Sequence, residues 1–137
     1  MRYPQILVYE SDGLLAQTLK PLARDRKWAL REPRRPESCL RLLRRGSPGV
    51  LVLKVGRDVV AELELLERVG WLFPDTAAVV VGDRDDPALV GLAWDLGAGY
   101  VLFPPRPRDL LPEVVAGLMQ GATGGQARAR NGPPAGV

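Results

Sequence analysis

The sequence predicts an α/β protein with five parallel strands in one doubly wound, flavodoxin-like sheet. Three observations lead to this fold class. Short apolar runs of strand length alternate five times with stretches in which leucine and valine recur at helical spacing. Two of the runs are apolar at every position, which is typical of parallel strands covered by helices on both faces. The 137 residues are enough for one domain with a hydrophobic core.

The first half of the chain contains three of the predicted strands. They are the apolar runs at residues 5–9, 28–30 and 50–53. The helix between the first two carries Leu15, Leu19 and Leu22 on one face, and we expect Pro21 to kink it. A short basic helix at 37–45 precedes the third strand, with Leu40 and Leu43 on its apolar face.

The second half contains the other two strands, at 77–81 and 100–103. Val59, Leu63 and Leu66 predict the third helix, which Gly70 and Pro74 should end. Pro87 suits the first turn of a fourth helix at 87–96. Asp109 can cap the last helix, whose apolar face is formed by Leu111, Val114, Val115 and Leu118.

We expect one domain over residues 1–119 and a disordered tail over 120–137. The tail is rich in Gly, Ala, Arg and Pro, which cannot bury enough apolar area to fold. No apolar run reaches the roughly 20 residues that a membrane helix needs, and the N-terminus lacks the features of a signal peptide. We therefore expect a cytoplasmic protein without a membrane segment and without a following output domain.

The composition argues against most enzyme classes. The chain has no histidine and one cysteine, Cys39. An intrachain disulfide, a zinc site and the Ser-His-Asp and Cys-His mechanisms are thereby excluded. We expect no catalytic residue, no metal and no cofactor. Cys39 itself is expected to be a buried, inert core residue.

Charge is distributed unevenly along the chain. Residues 18–45 carry ten basic and three acidic side chains, whereas the chain as a whole has a net charge of +3. An Arg-rich edge formed by helices 1 and 2 could bind nucleic acid electrostatically. A solvated charged face is the favoured interpretation, because the sequence shows neither a helix-turn-helix nor interleaved aromatic residues. The arginines of this edge are Arg34, Arg35, Arg41, Arg44 and Arg45.

Several segments at consistent spacing carry a family resemblance. They are Ile6-Leu7-Val8-Tyr9-Glu10-Ser11, the stretch from Trp28 to Lys54, Glu62-Leu63-Glu64-Leu65-Leu66 and Gly97-Ala98-Gly99-Tyr100-Val101-Leu102-Phe103-Pro104. Together they resemble the receiver domain of response regulators, the CheY-like phospho-acceptor module of two-component signalling. The resemblance covers residues 4–119 and implies the same (βα)5 fold.

The departures from this family fall in its phospho-acceptor pocket. Lys54 stands where the resemblance implies the phosphorylated Asp, and Glu10-Ser11 replaces the acidic pair that holds Mg²⁺. Gly82 replaces a Ser or Thr, and Phe103 replaces the Lys before a proline. Since a Lys amine is no acyl-phosphate acceptor, we expect a degenerate pocket.

We expect Lys54 to pair with Glu10, with Asp58 as a further candidate partner, and so to fill the space of the metal and phosphate. The alternative is that Lys54 points into solvent. A cluster of Asp83, Asp85 and Asp86 is expected to cap and charge the start of the fourth helix.

The fourth helix is apolar nearly all round, which favours a partner surface on its outer side. We expect this face to include Leu89, Leu92 and Trp94, together with Tyr100 on strand 5. The resemblance implies that helix 4, strand 5 and helix 5 bind partners or dimerise; the alternative is one wide core face. The sequence therefore predicts a pseudo-receiver, a phosphorylation-independent interaction module in bacterial signalling or scaffolding. The second hypothesis is a small basic nucleic-acid-associated protein.

Overall fold

A computed structural model describes residues 4–45 and 49–124, with the backbone alone for 122–124. Its five strands are Gln5–Tyr9 (β1), Ala29–Arg31 (β2), Gly49–Lys54 (β3), Ala77–Val81 (β4) and Tyr100–Leu102 (β5). Its α-helices are Leu14–Arg26 (α1), Pro36–Arg44 (α2), Val59–Leu72 (α3), Pro87–Asp95 (α4) and Leu111–Gly124 (α5). A 3₁₀ turn at Arg108–Leu110 leads into α5.

All strands are parallel and lie in the order β2-β1-β3-β4-β5. The chain therefore winds outward from β1 in both directions, which confirms the predicted doubly wound (βα)5 fold. The carboxyl ends of all the strands meet at one edge of the sheet, and each helix that follows a strand begins there.

Two apolar cores lie on opposite faces of the sheet. One packs against α1 and α5 and includes Ile6, Val8 and Val115; the other packs against α2, α3 and α4 and includes Leu7 and Leu66. Successive residues of a strand point to opposite faces. Both faces are buried, so β3 is apolar from Val50 to Leu53 and β4 is apolar throughout, as the sequence predicted.

Details of two elements differ from the sequence predictions. β2 starts at Ala29, leaving Trp28 outside, whereas α1 contains Pro21 as predicted. The buried face of α3 is formed by Glu62, Leu65, Leu66 and Val69, while Val59 and Leu63 are half-buried. Residue spacing alone could not predict that a carboxylate would occupy this face.

The last helix continues to Gly124, past the expected domain boundary at residue 119. The remainder of the predicted tail lies outside the described residues. Among the helices that the structure describes, none combines the length and apolarity required to cross a membrane.

Candidate functional site

An open cleft of about 950 Å³ lies at the carboxyl edge of the sheet. Residues at or just after the ends of β1, β3, β4 and β5 line it, among them Glu10, Lys54, Gly82 and Phe103. In open α/β sheets this edge is the usual location of functional groups. The structure thus brings together the predicted pocket residues, including the exposed Ser11.

The ammonium group of Lys54 lies between two carboxylates. Its Nζ is 3.2 Å from Oδ2 of Asp12 and 3.4 Å from Oδ2 of Asp83. The Lys54 side chain is 16% exposed, whereas the carboxylates of Asp12 and Asp83 are more open to solvent. Lys54 therefore links the loop after β1 to the loop after β4.

Asp83 has a second cationic partner. Nη2 of Arg108 donates to Oδ1 of Asp83 and to the carbonyl oxygen of Gly82, each at 2.7 Å. The chain Asp12–Lys54–Asp83–Arg108 ties the segment before α5 to three strand ends. Arg108 was not predicted from the sequence, which carries no signal for a contact over 25 positions.

These contacts perturb both carboxyl groups. The backbone N–H of Leu14 and the ammonium of Lys54 lower the pKa of Asp12 below its usual range. The Arg108 guanidinium, followed by Lys54, lowers the pKa of Asp83. Favourable interaction with the charged form is the common cause.

The expected pair between Lys54 and Glu10 is wrong. Both carboxylate oxygens of Glu10 accept hydrogen bonds from the first turn of α1, from N–H of Leu15 at 3.0 Å and of Ala16 at 2.9 Å. The unpaired N–H groups at a helix N-terminus attract acids, and here both Glu10 and Asp12 accept from the first turn of α1. Lys54 takes Asp12 instead.

Asp58 is likewise committed to a helix start and is no partner of Lys54. Its Oδ1 accepts from N–H of Ala61 at the N-terminus of α3. The buried Glu62 accepts from N–H of Gly56 at 2.9 Å and of Asp58 at 3.2 Å, which fixes the loop after β3.

The aspartate cluster before α4 divides between two roles. Asp86 caps α4 by accepting from N–H of Leu89, as expected. Asp83 belongs to the Lys54 network instead, and Asp85 is exposed. Only one of the three aspartates therefore acts as the predicted cap.

Gly82 and Phe103 form a matched pair on the other side of the cleft. The buried ring of Phe103 lies so close to Gly82 that a Cβ at residue 82 would overlap three ring carbons. The aromatic ring therefore requires glycine at this position. Neither a hydroxyl nor an ammonium group is supplied by these two residues.

The site does not fit Mg²⁺, the ion that the family resemblance implies. Mg²⁺ requires oxygen ligands in octahedral geometry. Lys54 places a positive charge between the two nearest carboxylates, and the oxygens of Glu10 are engaged by backbone N–H groups. Within residues 4–45 and 49–124, no group of three acidic or cysteine side chains could hold a metal ion.

The predicted partner face on α4 and β5 is only partly open. Leu92 is 44% exposed, whereas Leu89 and Trp94 are half-buried against the core. The rings of Trp94 and Tyr100 meet edge to face, with centroids 6.2 Å apart. Nη1 of Arg106 donates to the Tyr100 hydroxyl at 2.6 Å, so these two aromatic side chains are held in a fixed arrangement.

Other apolar side chains are more exposed than those of the predicted face. Trp71 at the end of α3 is 82% exposed, and Val60 at its start is 69% exposed. Sequence periodicity did not identify them, because both lie on a helix with an otherwise ordinary core face. The five arginines of the Arg-rich edge are all exposed, and Cys39 is fully buried.

No protein-family model and no curated protein sequence matches this chain. Solved structures do resemble it. A signal receiver domain of an HD domain-containing protein from Pseudomonas fluorescens is 20% identical, with a TM-score of 0.73 over 91% of this chain and 93% of that one. A response regulator from Thermotoga maritima is 20% identical, with a TM-score of 0.72 over 86% and 98%. A CheY-like receiver domain from Methanospirillum hungatei is 17% identical, with a TM-score of 0.69 over 90% and 99%. At these identities the likeness establishes the receiver fold.

Proposed function

We propose that this chain is a pseudo-receiver, a receiver-fold module of two-component-type signalling or scaffolding that binds a protein partner without being phosphorylated. The observation that carries the proposal is the position of Lys54 between Asp12 and Asp83. At the end of β3, where the family resemblance implies the acceptor carboxylate, the chain has a cation that is already paired.

The rest of the pocket supports the same conclusion. A receiver that switches needs a metal to neutralise the phosphoryl oxygens and a hydroxyl and a lysine to follow them. Here Glu10, the acid directly after β1, is used by α1, and the ring of Phe103 covers Gly82. The arrangement favours one fixed conformation over a two-state switch.

The partner surface that we favour is formed by α4 and β5, around Leu92, Trp94 and Tyr100. Its aromatic pair is rigid, so binding costs little side-chain entropy. Its exposed leucine lies beside half-buried apolar residues, the usual make-up of an interface anchor. The partner is another signalling protein or a second copy of this chain.

Two measurements test the proposal. Incubation with acetyl phosphate and Mg²⁺, followed by intact-mass analysis, should give no phosphorylated species. Capture of the tagged protein from native lysate, with nuclease and at high salt, should retain a specific partner. Leu92→Glu should lose that partner, and Val60→Glu, which changes a more exposed apolar side chain on α3, should retain it.

The same capture tests the nucleic-acid hypothesis, which is favoured only by the exposure of the Arg-rich edge. Binding that disappears with nuclease or at high salt would support that hypothesis, because phosphate contacts weaken steeply with salt. A phosphorylated species would refute the pseudo-receiver proposal. A partner retained by Leu92→Glu and lost by Val60→Glu would refute the α4 and β5 surface.

A further inference from the structure

Three arginines from three different loops converge on the cleft. Arg34 follows β2, Arg57 follows β3 and Arg84 follows β4, and all three line the cleft and are exposed. Within the described part of the chain, none of their guanidinium groups has an ion pair or a hydrogen bond. By contrast, Arg108 and Arg106 are both engaged.

The carboxylates of the cleft are engaged within the protein. Six carboxylate side chains line the cleft beside its cationic side chains, so the lining is not simply basic. Five, those of Glu10, Asp12, Asp58, Glu62 and Asp86, accept backbone N–H groups. Asp12 is also paired with Lys54, as is the sixth, Asp83. The strongest groups left free for a ligand are therefore the three guanidinium groups.

These hydrogen bonds also exclude one common way to bind an anion. A phosphate often sits on the free N–H groups of a helix N-terminus. Here the first turns of α1, α3 and α4 are each capped by a carboxylate of the chain itself. An anion in this cleft therefore cannot rely on the N-termini of these three helices.

The spacing of the loops indicates the size of the ligand. β2 and β4 are separated by β1 and β3. Three interstrand spacings amount to about 14 Å between the backbones of these loops, so a ligand with several phosphoryl groups can meet each arginine separately. The volume of about 950 Å³ is in the range of small-molecule sites.

We propose that the cleft binds a small molecule with two or more phosphoryl groups, held by Arg34, Arg57 and Arg84. The planar guanidinium fork matches phosphoryl oxygens and can bind them in pairs. A compact chain of phosphates supplies separate charges to separate loops. The inference concerns the cleft alone and does not depend on the α4 partner surface.

Isothermal titration calorimetry of the full chain, without Mg²⁺ and at low salt, tests the proposal with pyrophosphate, tripolyphosphate and ADP. Saturable binding of one molecule per chain is expected, at least roughly tenfold tighter than binding of orthophosphate or citrate. Tighter binding of ADP than of pyrophosphate would assign the site to a nucleotide, and equal binding to the phosphate chain itself. Absence of binding, or equal binding of citrate, would overturn the proposal.

A matched pair of variants separates the cleft from general charge attraction. The cleft variant combines Arg34→Ala, Arg57→Ala and Arg84→Ala. It should weaken binding by tenfold or more, roughly the effect of losing one or more charge-assisted contacts. The control variant removes the same charge from α2 and the residue that follows it, by combining Arg41→Ala, Arg44→Ala and Arg45→Ala. It should preserve affinity. Both should melt like the wild type, because the altered side chains are exposed. Equal losses in the two variants would refute a site in the cleft.

Discussion

The ring of Phe103 occupies the space that a side chain at residue 82 would fill, so Gly82 and Phe103 depend on each other. This contact closes one side of the cleft with an apolar surface. It also explains why two departures from the receiver pattern occur together. A hydroxyl-bearing residue at position 82 and an aromatic residue at position 103 exclude each other sterically.

Gly82→Ala should destabilise the protein. The added Cβ overlaps the Phe103 ring, and overpacking of a filled core costs about 1–3 kcal/mol. Urea denaturation measures the change in the free energy of unfolding. Combining Gly82→Ala with Phe103→Leu should cost less than the sum of the two single changes.

Gly91→Ala is the matched control for this prediction. Gly91 lies in α4, and nothing lies within 4 Å of a Cβ built there. Alanine is favoured over glycine in a helix by about 0.5–1 kcal/mol, so this variant should be as stable as the wild type or more stable. Equal destabilisation at both positions would contradict the steric argument.

Cys39 should be unreactive in the native protein. It is fully buried on α2, and burial raises the pKa of its thiol to about 12. The thiolate, which is the reactive species, is therefore scarce at neutral pH. A chromogenic disulfide reagent should label Cys39 rapidly in urea and only through unfolding in buffer. Immediate labelling of the folded protein would show that α2 does not hold this side chain buried against the sheet.

The fold could be predicted from the sequence because its strands are buried on both faces. That burial makes 50–53 and 77–81 apolar without interruption, and the helices between them keep their apolar spacing. β2 was less clear, since it is an edge strand of three partly exposed residues. The pocket residues were identified because strand ends in such a sheet converge.

The contacts inside the pocket could not be predicted from the sequence. Glu10 and Asp12 are two residues apart and both are acidic. Only the path of the backbone decides that both oxygens of Glu10 reach N–H groups of α1, whereas one oxygen of Asp12 reaches Lys54. Arg108 depends on how the segment before α5 folds back towards Gly82. Such choices are made by tertiary geometry, not by local pattern.

Lys54→Met should destabilise the protein while preserving the apolar stem of the side chain. It leaves the carboxylates of Asp12 and Asp83 close together without the shared cation. Because these carboxylates are partly solvated, we expect a loss of about 1–2 kcal/mol, between the values for exposed and for buried pairs.

A double-mutant cycle separates the ion pair from the packing of Lys54. Lys54→Met and Asp83→Asn should be less destabilising together than the sum of the single changes. Thermal or urea denaturation of the four proteins gives the coupling free energy. A coupling free energy of zero would mean that the Lys54–Asp83 contact contributes nothing to stability.

Stability should fall on acidification, partly through Asp83. The pKa of this carboxyl group is lowered in the folded protein, chiefly by Arg108 and also by Lys54. The unfolded chain, with a carboxyl pKa of about 3.9, therefore binds the proton first. The contribution of Asp83 is complete above that value and is lost as the pH falls through the lower native pKa.

Asp83→Asn should reduce this dependence of stability on acid. Its free energy of unfolding should be lower than that of the wild type at neutral pH and should approach the wild-type value as the pH falls below about 4. Urea midpoints measured between neutral pH and pH of about 3 give the comparison. Asp85→Asn removes an exposed carboxylate that has no ion pair or hydrogen bond in the described residues, and it should follow the wild-type curve. If Asp83→Asn follows that curve as well, the Arg108 and Lys54 contacts do not stabilise the folded state.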